Sequence, residues 1–263
     1  MKAERERIAV LKFGGREIDQ PGFLSLMVEV VAKLRERALP VIVHGGGKEI
    51  ARLQERLGLQ PRFIDGLRVT DDESLAVAEM VLSGRVNKRV VATLVHAGVP
   101  AAGLSGVDGG LLRVERMRHP AGDLGWVGHI TSVNPAPVEA LLSAGIVPVI
   151  SPISLGIDGH TYNVNADHAA TALAQALHAD QLAFISDVPG VLVAGESVSF
   201  ITADQAERWI TEGIITGGMI PKVRAALEAV RGGVSKAIIT NLEGLLADSG
   251  TIFMMTHPTS HRP

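Results

Sequence analysis

The chain contains no cysteine. That excludes disulfides, a thiolate nucleophile and zinc–sulfur sites, and it fits a reducing compartment. Aromatic side chains are almost as scarce, at 3% of 263 residues. So few rings offer little for bases to stack on, and a net charge of −3 gives no long-range attraction to a polyanion. Nucleic acid is therefore not an expected partner. Apolar runs stop at strand length and no signal peptide opens the chain, so a cytoplasmic location is expected and a membrane partner is not. Of the nine histidines only His257 and His261 have the His-x-x-x-His spacing, with Pro258 between them to break a helix, so no metal held by protein ligands is expected. What remains, with 46% hydrophobic and 20% charged residues, is an ordinary globule with material for a sizeable core.

The most informative stretch is Val41-Ile42-Val43-His44-Gly45-Gly46-Gly47-Lys48. A β-branched strand runs into a three-glycine turn, and an amphipathic helix with Ile50, Leu53 and Leu57 on one face opens behind it. Glycines let backbone N–H groups close on an anion, and the helix N-terminus adds a positive dipole end. A Walker loop is excluded, because Ile42 stands where its first glycine belongs and Glu49 replaces the magnesium-binding hydroxyl. A dinucleotide fingerprint fails at Ile50, which is too large for the last glycine position. A tight turn with no ligand remains open at this point.

Strand and helix patterns alternate along the chain. Strands are expected at 8–12, 41–44, 101–104, 146–150, 182–186, 236–240 and near 251–255. Helices are expected at about 22–37, across 71–96 with an interruption at Gly84, at 135–144, 166–177, 202–212 and 221–231. Residues 111–114 and 126–133 flank a Gly/Pro-rich tip and read as a β-hairpin. This alternation predicts an α/β fold with a mostly parallel sheet covered by helices on both faces. No linker divides the chain; a seam between two lobes falls best in the Pro/Ser/Gly-rich stretch 151–159.

Four placements call for a physical reason. Lys12 ends an apolar strand, where open α/β sheets bind ligands, although a lysine snorkelling to solvent explains it equally well. Lys222 follows Pro221, which suits the first helical position, so the lysine sits at the positive end of a dipole unless an anion meets it. Asn165 is a natural N-cap and Asp167 a natural first-turn acid; capping explains both but leaves Asn163 unexplained. Arg68, in Gly66-Leu-Arg-Val-Thr70, offers a bidentate fork suited to a carboxylate. Glycine loops, two lysines, an arginine fork and an Asn/Asp helix mouth suit phosphoryl transfer between a nucleotide and a carboxylate.

In this order, Lys12-Phe-Gly-Gly15, His44-Gly-Gly-Gly47, Gly66-Leu-Arg-Val-Thr70, Gly103-Leu-Ser-Gly106 with Asp108-Gly-Gly110, Asn163-Val-Asn-Ala-Asp167, Ser186-Asp-Val-Pro-Gly190 and Gly218-Met-Ile-Pro-Lys222 resemble the amino-acid kinase family. Within it, the Gly-Leu-Arg-Val-Thr arm is similar to that of members acting on N-acetyl-L-glutamate. The resemblance implies one three-layer α/β/α domain over 1–263, with a substrate lobe at about 1–155 and a nucleotide lobe at about 156–263. It implies ATP-dependent phosphorylation of the side-chain carboxylate of N-acetyl-L-glutamate, with magnesium on the ATP phosphates.

By the same resemblance Lys12 and Lys222 stabilise the transferring phosphoryl, and Asp167 orients both lysines. Gly46 and Gly47 hold substrate and γ-phosphate through backbone N–H, Arg68 clamps a substrate carboxylate, and Asn163 binds the acetylamino-acid backbone. Gly14 and Gly15 line the phosphate path, while Asp187, Val188, Pro189, Gly190, Val191, Ile214, Ile215 and Thr216 border the nucleotide. Departures are Val107, where a lysine is common, and a shortened segment after Thr240. Arginine-inhibited relatives build hexamers through a longer N-terminal helix, so a homodimer insensitive to arginine is expected. Rival readings are a kinase for acetyl-aminoadipate or carrier-bound aminoadipate, and a non-catalytic sensor on the same fold. A methylene discriminates by only about 1–3 kcal/mol.

Overall fold

The computed structural model describes residues 6–255. In chain order the elements are β1 (Ile8–Phe13), α1 (Gly15–Ile18), α2 (Phe23–Leu34), β2 (Leu39–His44), α3 (Gly47–Arg56), β3 (Phe63–Ile64), β4 (Leu67–Arg68) and α4 (Asp72–Glu79). A π-helical stretch, Met80–Val86, leads into α5 (Asn87–His96), β5 (Ala101–Gly106), β6 (Leu112–Arg116), β7 (Gly128–Val133), α6 (Ala136–Ser143), β8 (Val147–Gly156) and β9 (Thr161–Asn163). The second half holds α7 (Ala166–Ala176), β10 (Gln181–Ile185), β11 (Leu192–Val193), β12 (Glu196–Ser197), α8 (Ala203–Thr211), α9 (Met219–Arg231), β13 (Lys236–Thr240), α10 (Leu242–Leu246) and β14 (Thr251–Phe253).

The main sheet runs β14-β13-β10-β1-β2-β8-β6-β7, with β5 and β9 also paired to β8. β1 is parallel to both β10 and β2, and β2 is parallel to β8. β1 shows why helices cover both faces. Its side chains alternate, so Ile8 and Val10 join one buried cluster with Ala170 and Leu173 of α7 and Val223 of α9. Ala9, Leu11 and Phe13 join the other, against Met27 and Val31 of α2 and Val90 and Leu94 of α5. Two cores on one sheet make the expected three layers. Lys12 shares the parity of Val10, which directs it to the α7 face.

Several local expectations change. Gly84 does not interrupt the 71–96 helix; the backbone widens into the π stretch and continues into α5. The strand expected at 146–150 is longer, since β8 runs on to Gly156 with nearly every residue buried, and it takes in most of the stretch 151–159 where the seam was expected. Leu57 lies beyond the end of α3 and is 56% exposed, so only Ile50 and Leu53 of the expected face pack inward. The helix carrying Lys222 begins at Met219, which makes Pro221 its third residue. The hairpin β3–β4 had a signal that went unused: Asp65 and Gly66 both take positive φ, at 47° and 81°, the two-residue turn that Asp-Gly favours. Among the described residues no helix is long and apolar enough to cross a membrane.

Candidate active site

The two glycine loops meet at the carboxyl ends of β1 and β2. Gly45 N–H donates to the Phe13 carbonyl at 2.9 Å. A Cβ on Gly15 would lie 2.7 Å from Gly46 Cα, and one on Gly46 would lie 2.7 Å from Leu82 Cδ2. Backbone packing therefore demands glycine at 15, whereas at 46 a Cβ would require the Leu82 side chain to shift. Gly47 is different, because a Cβ there would meet nothing within 4 Å. Protein packing gives no reason for that glycine, whereas an approaching ligand at the α3 N-terminus does.

Lys12 Nζ lies 2.8 Å from Asp167 Oδ1, with the side chains 7% and 13% exposed. Asp167 is the second residue of α7, and its N–H donates to the Asn165 Oδ1 cap at 2.7 Å. The dipole of α7 favours the carboxylate, and the carboxylate holds a nearly buried ammonium in place. Asn165 and Ala166, just before it, line a cavity of about 210 Å³ together with Gly46, Gly47, Arg68 and Asn163.

Arg68 reaches that cavity from β4. Its Nη2 donates to the Gly47 carbonyl at 3.1 Å, its Nη1 to Gln54 Oε1 at 2.5 Å, and its guanidinium lies 4.7 Å from the Phe63 ring centroid. Burial lowers the pKa of this guanidinium from its usual value. Asn163 ends β9 and donates from Nδ2 to Thr70 Oγ1 at 3.2 Å.

A second cavity, of about 750 Å³, adjoins the first. Gly14, Gly15, Asp187, Val188, Lys48 and Lys222 line it, and both cavities share Gly47, Phe63 and Arg68. No acid occupies the first turn of α9. Among the described residues no carboxylate stands within 4.0 Å of the Lys222 or Lys48 ammonium, so the expectation that Asp167 orients both lysines is corrected: it pairs with Lys12 alone. A further cavity, about 940 Å³, flanks the outer β6–β7 hairpin and shares no lining residue with either.

Nine of the expected site residues line the two adjoining cavities: Gly14, Gly15, Gly46, Gly47, Arg68, Asn163, Asp187, Val188 and Lys222. The Lys12–Asp167 pair lines neither and sits next to them in the chain, Asp167 directly after the lining residue Ala166. Pro189, Gly190, Val191, Ile214, Ile215 and Thr216 also line neither cavity. Val191 is buried and its N–H donates to Thr251 Oγ1 at 2.8 Å; Ile215 is buried and bonded to the Trp209 carbonyl at 3.0 Å. Those side chains pack in the core. Lys48, Phe63, Leu82, Val127 and Pro152 line the site without having been singled out as site residues. Only Lys48 had a local signal, directly after the glycine triplet.

His44, at the root of the glycine turn, is fully buried. Nδ1 is 3.1 Å from the Gly45 carbonyl and Nε2 is 3.2 Å from Asn87 Nδ2, so the neutral ring donates at Nδ1 and accepts at Nε2. Burial, reinforced by Arg89 and Lys88, pushes its pKa from 6.5 to about 4. In the unfolded chain the ring protonates near 6.5, so this contribution to stability is complete above that pH and is lost as pH falls toward 4. The loss amounts to about 3 kcal/mol. Urea unfolding of wild type and His44→Gln at pH 7 and pH 4.5 should show a shallower pH dependence in the variant; identical slopes would contradict the assignment.

A profile of the amino acid kinase family matches residues 7–241. The acetylglutamate kinase of Roseiflexus sp. (strain RS-1) is 53% identical over 249 residues, covering 95% of this chain and 94% of the relative. A solved structure from Streptococcus mutans UA159 superposes with a TM-score of 0.82 at 32% identity, over 94% of this chain and 98% of that one. Giardia lamblia carbamate kinase bound to AMP-PNP gives 0.68 at 16% identity, over 95% and 98% of the two chains, a likeness of fold alone.

Proposed function

The chain belongs to the amino acid kinase family, and we propose that it transfers the γ-phosphoryl of ATP to the side-chain carboxylate of N-acetyl-L-glutamate. The product would be N-acetyl-L-glutamyl 5-phosphate, an intermediate of arginine biosynthesis. The observation that carries this reading is the junction of a small and a large cavity at Gly47, where open space faces a helix N-terminus and unpaired cations stand around it.

In this reading the acetylamino acid occupies the 210 Å³ cavity. Arg68 clamps one carboxylate, Asn163 binds the acetylamino-acid backbone, and the N–H groups of Gly46 and Gly47 hold the reacting end. The nucleotide occupies the 750 Å³ cavity, with its phosphates along Gly14 and Gly15 and its base side toward Asp187–Val191 and Ile214–Thr216. A carboxylate oxygen attacks the γ-phosphorus as the bond to the β–γ bridging oxygen breaks, and ADP leaves; no proton transfer is needed. Charge on the in-flight phosphoryl is met by Lys12 and Lys222, which are worth more in a site shielded from water. Asp167 keeps the Lys12 ammonium in place, while Lys222 has no carboxylate partner among the described residues.

Magnesium is assigned to the ATP phosphates, where it would offset part of their negative charge. Among the described residues no group of three or more His, Asp or Glu side chains gathers as a metal site. The sheet order supports a division about β1, with β2, β5, β6, β7 and β8 to one side and β10, β13 and β14 to the other, although β9 (Thr161–Asn163) follows residue 155 and still pairs with β8 on the first side. The substrate lobe (about 1–155) and nucleotide lobe (about 156–263) would then close across the glycine loops. A cytoplasmic homodimer insensitive to arginine completes the proposal.

The test is acyl phosphate trapping. Purified protein with Mg-ATP and hydroxylamine should form hydroxamate chiefly from N-acetyl-L-glutamate, with glutamate and N-acetyl-aminoadipate run beside it. Product only from the longer acid would keep the mechanism and change the substrate. No hydroxamate from any of them, with ATP still bound, would overturn the kinase assignment.

A further inference from the structure

Gln54 has no role in the reaction described above, lines neither cavity, and is only 1% exposed. It projects from α3 between Arg68 and Ser74. Its Oε1 accepts from Arg68 Nη1 at 2.5 Å, and its Nε2 donates to Ser74 Oγ at 2.9 Å. Ser74 is itself tied down, since its N–H donates to Asp71 Oδ1 at the cap of α4. The amide orientation follows from chemistry, because a guanidinium has no acceptor and only Oε1 can face it. One buried side chain thus joins the Arg68 strand, the helix behind the glycine cradle and the start of α4.

What Gln54 is not matters as much. Among the described residues Arg68 has no carboxylate within 4.0 Å; both protein oxygens it touches, Gln54 Oε1 and the Gly47 carbonyl, are neutral. Lys12, by contrast, is held by a carboxylate. We propose that Gln54 is a positioning residue that fixes the Arg68 fork over the substrate cavity while leaving its positive charge uncompensated for a substrate carboxylate. The proposal rests on the reading of Arg68 as the carboxylate clamp. A carboxylate at position 54 would hold the same fork and cancel its charge; an apolar side chain would leave the charge and release the fork.

Two isosteric variants separate these effects. Gln54→Glu is expected to raise the KM for N-acetyl-L-glutamate about tenfold or more, with kcat, the KM for ATP and Tm near wild type. Gln54→Met is expected to raise the same KM severalfold. In an Arg68→Ala background Gln54→Glu should have no further effect, because its action passes through Arg68. Wild-type KM in both variants, or a KM for ATP and a Tm that change in step with the KM for acetylglutamate, would overturn the positioning role and leave the kinase reading standing. A wild-type protein that neither binds nor phosphorylates N-acetyl-L-glutamate, by calorimetry and by hydroxamate, would overturn both.

Discussion

Lys12→Met is expected to lower turnover about a thousandfold, the effect of removing a preorganised charge from a phosphoryl-transfer site. It should also destabilise the fold by about 3 kcal/mol, because it strands a carboxylate. Lys12 Nζ is the ion-pair partner of Asp167 Oδ1 at 2.8 Å, and that side chain is only 13% exposed. Breaking one half of a buried pair costs more than replacing the whole pair with apolar groups. The double variant Lys12→Met/Asp167→Leu should therefore regain most of the lost stability and none of the turnover. Thermal unfolding beside the hydroxamate assay reads both quantities. Recovery of turnover in the double variant would mean that Lys12 serves only to neutralise Asp167, and would remove it from the phosphoryl site.

Gly15→Ala is expected to cost turnover about a hundredfold, for a steric reason. The new Cβ would stand 2.7 Å from Gly46 Cα, 2.9 Å from its nitrogen and 3.0 Å from its carbonyl carbon. All three are backbone atoms that no rotamer change can move, so the two loops must separate, and a displacement of about 1 Å suffices for a loss of that size. Tm should fall as well, by the overpacking of about 1–3 kcal/mol. Gly47→Ala is the matched control. Its Cβ meets nothing within 4 Å, so Tm should stay at the wild-type value while the KM for substrate rises. A Gly47→Ala enzyme with unchanged kinetics would show that no ligand approaches that glycine.

The site was legible wherever its chemistry is carried by short spacings. The Asn165 cap and Asp167 follow from local cap rules, and Lys12 and the glycine triplet follow from a strand meeting a turn. The resemblance to the amino-acid kinase family added the roles of Arg68, Asn163 and Lys222. Residues outside that reach were missed for a common reason. Leu82 lines the cavity only because a π turn sets its direction, and Phe63 only because the Asp65-Gly66 hairpin folds over α3. Nothing in the neighbourhood of Gln54 marks it as the partner of Arg68, since it occupies an ordinary helical position.

By itself the sequence determined the alternation of strands and helices, the loops that end β1 and β2, and the charged residues placed beside them. Periodicity, caps and glycine conformation are short-range, so neighbours along the chain suffice to express them. Only the tertiary structure decided that Asp167 pairs with Lys12 and not also with Lys222, that a neutral amide rather than a carboxylate holds Arg68, and that Gly47 alone of its triplet faces open space. Those outcomes depend on parallel pairing and crossover packing, which bring residues far apart in the chain within hydrogen-bonding distance.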